Sequence, residues 1–157
     1  MIQWNAELAR RLRCRDDEKR DLAPLIRRLM DLGRVARSEG FQALERELAG
    51  ASDPLLQIGL RLVMEGVSGD ALEDILATYL LAEDRSGGRF LEACVAIEGV
   101  LSLAEADEPA LMARKLVAYL GADRALGALE ELERDGALPS SQPPAQSPSR
   151  PAQAETR

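Results

Sequence analysis

The sequence predicts an all-α fold: a compact bundle of about five to seven helices followed by a disordered C-terminal tail. Hydrophobic residues make up 46% of the chain, but aromatic residues only 3%. The core must therefore be built from Leu, Ala, Val and Ile, while the side chains that favour strands are scarce. In addition, apolar residues recur at helical spacing, and glycine, proline and acidic residues stand where helices begin and end.

The chain of 157 residues has room for one modest core. We divide it into a charged N-terminal helix over residues 1–20, a helical domain over residues 21–135 and a tail over residues 136–157. The tail holds five of the eight prolines and four serines. It cannot bury enough apolar surface to offset an ordering cost of about 1–2 kcal/mol per residue. We expect it to be disordered, as a linker or a proline-rich ligand.

The helical domain begins with a helix predicted from Asp21 to Gly40. Pro24 lies in its first turn, where a missing N–H has no cost. The inward residues of this helix, at helical spacing, are Leu25, Leu29, Leu32 and Ala36. A short helix over residues 41–48 follows and ends at Gly50.

Asp53 and Pro54 form the start signal of the next helix, as N-cap and first helical residue. That helix ends at Gly66, and the following one is capped by Ser68 or Asp70. The residues expected to face inward are Leu55, Ile58, Leu62 and Val63 in the first of these helices, and Leu72, Ile75, Leu76, Tyr79 and Leu80 in the second.

Three further signals complete the domain. Two glycines at residues 87–88 predict a break before a helix over residues 89–105. The run Asp-Glu-Pro at residues 107–109 predicts a new helix start, and a last helix is predicted over residues 123–134. The core face of the helix after residue 109 comprises Leu111, Leu116 and Leu120.

The charge of −7 is unevenly distributed. Residues 1–37 hold ten basic and six acidic side chains, whereas residues 38–157 hold ten basic and twenty-one acidic ones. An acidic body argues against nucleic-acid binding, because phosphate contacts need clustered Lys and Arg. The arginine-rich start could contact an acidic partner or, peripherally, anionic lipid, or it could be a solvated helix face.

Cysteine usage and hydropathy predict a soluble, cytoplasmic protein. Cys14 and Cys94 lie far apart and form no CxxC motif, which is typical of reduced thiols. We find no signal peptide and no stretch of the ~20 apolar residues that a membrane helix needs.

The residue types that catalysis and metal binding need are missing or scattered. The chain has no histidine, which removes the commonest general base and metal ligand. No phosphate-binding glycine loop and no calcium-binding loop is found. We expect the protein not to be an enzyme and to have no cofactor and no metal site.

Two sequence stretches carry a family resemblance. The first reads LIRRLMDLGRVARSEGFQALE, then DPLLQIGLRLVMEG, then LEDILATYLLAEDR, over roughly residues 22–90. The second reads AIEGVLSLAEADEPALMARKLVAYL, over residues 96–120. Together they resemble the cytoplasmic parts of flagellar stator subunits of the MotA/PomA type, in the MotA/TolQ/ExbB proton channel family. A glycine and an asparagine usual in that family near the proline are replaced at Ala106 or Asp107.

The family's membrane helices have no counterpart in this sequence, so ion conduction is not implied. The resemblance implies that an arginine and a glutamate, here Arg37 and Glu45, pair with opposite charges on the rotor protein FliG. Arg34 and Glu47 are their charged neighbours. These residues could equally be plain surface residues, or form local pairs with Glu39 or Arg34.

The expected function is therefore a MotA-like interaction module in the flagellar motor or its regulation. It would dock by charge to a FliG-like rotor protein or a MotA-type stator subunit. The alternative is a scaffold protein outside motility that self-associates through its helical faces as a homo-oligomer.

Overall fold

The computed structural model describes Arg10, residues 12–51 and residues 53–138. The described residues form seven α-helices and one 3-10 helix, and no strand is found among them. The elements are α1 (Asp16–Arg20), α2 (Ala23–Glu39), the 3-10 segment (Phe41–Gly50), α3 (Pro54–Met64), α4 (Gly69–Ala82), α5 (Gly87–Ala104), α6 (Pro109–Ala118) and α7 (Ala122–Arg134). The predicted all-α class is confirmed.

Helix α5 forms the centre of the bundle and packs against α2, α3, α4 and α6. It is apolar on nearly every side, which is typical of a helix enclosed by others. Two glycines allow the closest approaches. A Cβ at Gly99 would lie 2.6 Å from both terminal carbons of Leu29 in α2, and a Cβ at Gly59 in α3 would lie 2.8 Å from Val100.

Local start and stop signals place several helix ends where the sequence predicts them. The Asp53 carboxylate accepts a hydrogen bond from the Leu55 backbone N–H at 2.8 Å, and Pro54 is the first residue of α3. After α3 the chain turns at Gly66, whose φ of +85° favours glycine. Helix α2 ends at Glu39, next to Gly40, whose φ is +84°.

The predicted helices at residues 1–20 and 41–48 differ from the structure. Residues 13–15 are not helical, so α1 is a separate element of only five residues. Residues 1–9 and 11 lie outside the described part. Residues 41–50 form a 3-10 helix, a tighter coil that suits short connectors.

Three residues predicted to face the core are exposed instead. Ile75 and Tyr79 in α4 are 37% and 46% exposed, whereas Leu72, Leu76 and Leu80 are buried as predicted. The reason is that α4 packs mainly against α3 and α5, which cover less of its circumference than its apolar residues occupy.

The third is Leu111 in α6, which is 47% exposed, because the buried face of α6 is formed by other residues. That face comprises Met112, Ala113, Leu116 and Val117.

Order continues slightly further than the predicted tail boundary at residue 136. Leu138 is buried, and the backbone N–H groups of Ala137 and Leu138 both donate to the Leu132 carbonyl, at 2.9 and 3.2 Å. These bonds close the end of α7, with Gly136 at a φ of +72°. The rest of the predicted tail, residues 139–157, lies outside the described residues.

In the part of the chain that the structure describes, no helix has both the length and the apolar character that a bilayer crossing requires.

Candidate functional site

The predicted binding residues lie on two elements that meet at Gly40. Arg34 and Arg37 belong to the C-terminal half of α2, and Glu45 and Glu47 belong to the 3-10 segment. We call these four residues the Gly40 corner. The positive φ of Gly40 turns the chain between the two elements, so the corner is a bend and not one continuous helix face.

Arg37 is exposed, yet it is held at one point. Its Nη1 donates a hydrogen bond to the main-chain oxygen of Asp107 at 3.0 Å. Asp107 lies in the loop between α5 and α6. A guanidinium has five N–H donors, so a single bond to a carbonyl orients Arg37 and leaves donors for a second contact.

Glu45 is exposed in the 3-10 segment. Its side chain forms no ion pair or hydrogen bond with the residues that the structure describes. Its carboxylate can therefore meet a cation on another protein without first leaving a described intramolecular partner.

The other two residues of the corner are already paired. Arg34 forms an ion pair with Asp31, one helical turn earlier, and both side chains are more than half exposed. Such surface pairs contribute only about 0–1 kcal/mol. Glu47 is less exposed, and its carboxylate lies 2.9 Å from Arg28 Nη2. The same Arg28 nitrogen also donates to the Glu47 main-chain oxygen at 3.1 Å.

The pairing between Glu47 and Arg28 was not predicted from the sequence. Arg28 lies in α2 and reaches over Gly50, where a Cβ would come within 2.7 Å of its guanidinium. Arg46 also contacts both Glu39 and Glu47. Glu47 thus ties the 3-10 segment to α2, and of the four predicted residues it is the one whose charge is most used inside the molecule.

Asp107, whose main-chain oxygen accepts the bond from Arg37, is also the centre of a polar network in the loop between α5 and α6. Its carboxylate Oδ2 accepts a hydrogen bond from Ser102 Oγ at 2.8 Å and lies 2.7 Å from Lys115 Nζ. Burial alone would lower the pKa of Lys115, but the Asp107 carboxylate raises it above its ordinary value. The amine is therefore a fixed cation, unsuited to act as a nucleophile or base.

A second carboxylate, Glu98, borders the same network. It lies 4.0 Å from Lys115 Nζ and accepts a hydrogen bond from the Tyr119 hydroxyl at 3.2 Å. Burial, together with the Glu98 charge, raises the pKa of Tyr119, which keeps the phenol protonated. This network holds the α5–α6 loop, and with it the backbone oxygen that orients Arg37.

The loop also contains a strained residue. Ala106 has a φ of +53°, in the left-handed region, and is the only described non-glycine residue with a positive φ. The sequence resemblance places the family's usual glycine at Ala106 or Asp107. Glycine adopts a positive φ without the steric cost of a Cβ.

A further ion pair away from the corner was missed by sequence reasoning. Arg85 reaches Asp53 through two bonds, Nη1 to Oδ2 at 2.7 Å and Nη2 to Oδ1 at 3.1 Å, and it also contacts Glu83. Burial works to raise the pKa of Asp53, but the hydrogen bonds from Arg85 and Leu55 hold it below its ordinary value. This pair joins the start of α3 to the loop after α4.

Within residues 12–51 and 53–138 and at Arg10, no group of three acidic, cysteine or histidine side chains could hold a metal ion. The chemistry that the Gly40 corner offers is a pair of opposite charges on a bend, which suits recognition of another charged surface.

Comparison with known proteins supports the family resemblance over part of the chain. A stretch of 62 residues is 37% identical to Motility protein A of Treponema pallidum (strain Nichols). It makes up 39% of this chain and 24% of that protein, so the match spans about a quarter of the relative. No protein-family model matches the chain, and no solved structure matches it. The chain is thus similar to a motility protein over a limited region.

Proposed function

We propose that this protein is a MotA-like, non-catalytic interaction module that acts in bacterial motility by docking to a flagellar motor component in the cytoplasm. The observation that carries the proposal is the Gly40 corner, in which Arg37 and Glu45 expose opposite charges on two elements of a chain similar to Motility protein A. The candidate partners are a FliG-like rotor protein and a MotA-type stator subunit.

The two charges are suited to reversible docking in different ways. Arg37 is oriented by the Asp107 oxygen, so less side-chain freedom is lost when it meets a carboxylate. The Glu45 carboxylate has no described partner within the molecule that it would have to leave on binding. Exposed charge pairs contribute only about 0–1 kcal/mol each. The corner would therefore speed association and select the partner more than it would lock the complex.

The test is binding of the full chain to purified FliG-like and MotA-type proteins of the same organism, at low and high salt. We expect binding at low salt that weakens as salt screens the charges. Arg37→Glu and Glu45→Arg should each weaken it. The matched controls are Arg114→Glu and Glu92→Arg, two exposed charges outside the corner, which should leave binding unchanged.

A compensating reversal of the partner's charge should restore binding to Arg37→Glu. Absence of binding to both proteins at low salt, or binding indifferent to reversal at both positions, would contradict the proposal.

A scaffold protein that self-associates is the second candidate function. It is favoured by three leucines with exposed side chains, Leu81, Leu111 and Leu126, which are 68%, 47% and 73% exposed. Sedimentation equilibrium distinguishes the two functions. A stable oligomer that Leu111→Asn or Leu126→Asn dissolves would support the scaffold, whereas a monomer would exclude it.

A further inference from the structure

Helix α4 keeps an apolar outer side in the folded chain. A surface groove on this side is lined by Asp74, Ile75, Thr78, Tyr79 and Ala82. Ile75 and Tyr79 are more than one-third exposed, and Leu81, which follows Thr78 by three positions on the same side, is 68% exposed. We call these six residues the α4 face. Exposed apolar side chains that adjoin each other are typical of a contact surface.

Helix α6 has a smaller outer side of matching character. Leu111 is nearly half exposed. Arg114 and Ala118 follow it at i+3 and i+7, on the same side of the helix, and both are exposed. We call these three residues the α6 face. At 1.5 Å per residue this face is about 10 Å long and the groove on α4 is about 12 Å long, so the two faces match in length.

The two helices carry opposite charges. Helix α4 contains three acidic residues and no basic one, whereas α6 contains Arg114 and Lys115 and no acidic residue. Lys115 is already paired with Asp107. The side chains of Asp74 and Arg114, in contrast, form no ion pair or hydrogen bond with Arg10 or with residues 12–51 and 53–138. Each face therefore has one charge that can pair with a group on another molecule.

These charges restrict what can cover each face. Two α4 faces in contact would bring the carboxylates of Asp74 together, and two α6 faces would bring the guanidinium groups of Arg114 together, which is unfavourable in both cases. An α4 face against an α6 face pairs opposite charges instead. Both faces are exposed in the same chain, so they do not cover each other within one molecule. The fitting occupant is a second copy.

The positions of the charges also select the orientation of the two helices. When Leu111 lies midway between the two large apolar residues of the α4 groove, it stands three residues, or about 4.5 Å, beyond Asp74 along the α4 axis. Arg114 lies three residues after Leu111, so an antiparallel arrangement brings it level with Asp74. A parallel arrangement would bring Glu108 level with Asp74, where two carboxylates repel each other. The contact is therefore antiparallel.

We propose that the α6 face of one copy docks on the α4 face of a second copy, with Leu111 between Ile75 and Tyr79 and Arg114 beside Asp74. Because the two faces differ, the contact is head-to-tail, and copies add until a ring closes or a filament grows. The faces are short, and contacts below about 1,200 Å² are typical of weak, transient association. The contact uses no residue of the Gly40 corner, so it is independent of docking to a motor component.

The test is sedimentation velocity of the full chain from about 10 μM to about 1 mM, the range of weak affinities. We expect the sedimentation coefficient to rise steadily with concentration. Ile75→Asn and Leu111→Asn should each stay monomeric. Mixed in equal amounts, the two variants should form a 1:1 dimer and nothing larger, because the mixture offers only one kind of intact contact.

Charge reversal tests the pairing of Asp74 with Arg114. Asp74→Arg and Arg114→Asp should each raise the dissociation constant several-fold, and both changes in one chain should restore association. The matched controls are Arg61→Asp, an exposed arginine of α3, and Leu126→Asn, an exposed leucine of α7. Both should leave association unchanged, and circular dichroism shows that each variant is folded.

Three outcomes would overturn the proposal. The full chain could stay monomeric over the whole range, or it could associate while the mixture of Ile75→Asn and Leu111→Asn stays monomeric. Association that survives Ile75→Asn and is lost in Leu126→Asn would place the contact on α7, as a different scaffold. None of these outcomes bears on docking to a motor component, because the experiment contains no partner protein.

Discussion

Arg37 donates a hydrogen bond to the main-chain oxygen of Asp107, a residue seventy positions later in the chain, at 3.0 Å. The bond connects the end of α2 to the loop between α5 and α6, beside the network of Ser102 and Lys115. One side chain of the proposed docking site is therefore oriented by a distant part of the fold.

Replacing Arg37 by alanine should separate binding from stability. We expect the free energy of unfolding to fall by no more than about 1 kcal/mol, because one exposed hydrogen bond is lost. Binding to the motor component should fall clearly. Urea unfolding and a binding titration of the same sample check this. A loss of several kcal/mol would mean that Arg37 is mainly a structural residue.

The pair of Asp53 and Arg85 should contribute more to stability than the charges of the corner, because both side chains are at least four-fifths buried. Asp53→Ala removes the helix cap and the ion pair together, and we expect a loss of about 2–4 kcal/mol. Asp53→Asn keeps an acceptor for the Leu55 N–H and should lose less. Urea unfolding at neutral pH measures both, and equal losses would show that the charge is unimportant.

The same pair predicts a dependence of stability on acid. The pKa of Asp53 is lower in the folded protein than in the unfolded chain, where it is about 3.9. The ion pair therefore stabilises the protein fully above that value and is lost as pH falls through the lower, folded pKa. The difference in unfolding free energy between the natural chain and Asp53→Asn should shrink below about pH 4. A constant difference down to acid pH would contradict this pairing.

Gly99→Ala should destabilise the bundle. The new methyl group would lie 2.6 Å from two carbons of Leu29, which is fully buried. Forced repacking of this kind costs about 1–3 kcal/mol. Gly127→Ala is the control, because a Cβ there meets nothing within 4 Å. It should stabilise α7 by about 0.5–1 kcal/mol. Thermal and urea unfolding measure the stability of both variants. Equal changes in stability would be evidence against close packing of α2 on α5.

Ala106→Gly should stabilise the protein. A left-handed conformation costs a residue with a Cβ about 1–2 kcal/mol, and only part of this is offset by the extra freedom of glycine in the unfolded chain. We expect a net gain of about 0.5–1 kcal/mol. Ala110→Gly, at an exposed position in α6, should instead lower stability. A loss on Ala106→Gly would show that the turn is not strained.

The sequence was sufficient for features that depend on neighbouring residues. Asp53 and Pro54 start a helix because a cap and a fixed φ act within one turn, and Gly66 ends it because glycine accepts a positive φ. The all-α class could be predicted because helical spacing of apolar residues is also a local pattern, and because the composition has few residues that favour strands.

Features that depend on distant residues could not be predicted. Nothing near Ile75 or Leu111 in the sequence shows that, among the residues the structure describes, their side chains stay exposed. The bonds from Arg37 to Asp107 and from Arg85 to Asp53 join residues 70 and 32 positions apart. A single sequence offers many acceptors that either arginine could contact, so only the packing of the folded chain decides which one it reaches.

The enclosure of α5 has a practical consequence for dissecting this molecule. Four outer helices pack against one central helix, and among these four α2 also contacts α6 and α3 also contacts α4. A fragment that stops before residue 87 would leave the Gly40 corner without the support that shapes it. The binding properties of the Gly40 corner are therefore best measured with point variants of the intact chain. An excised peptide would lack the contacts that position Arg37.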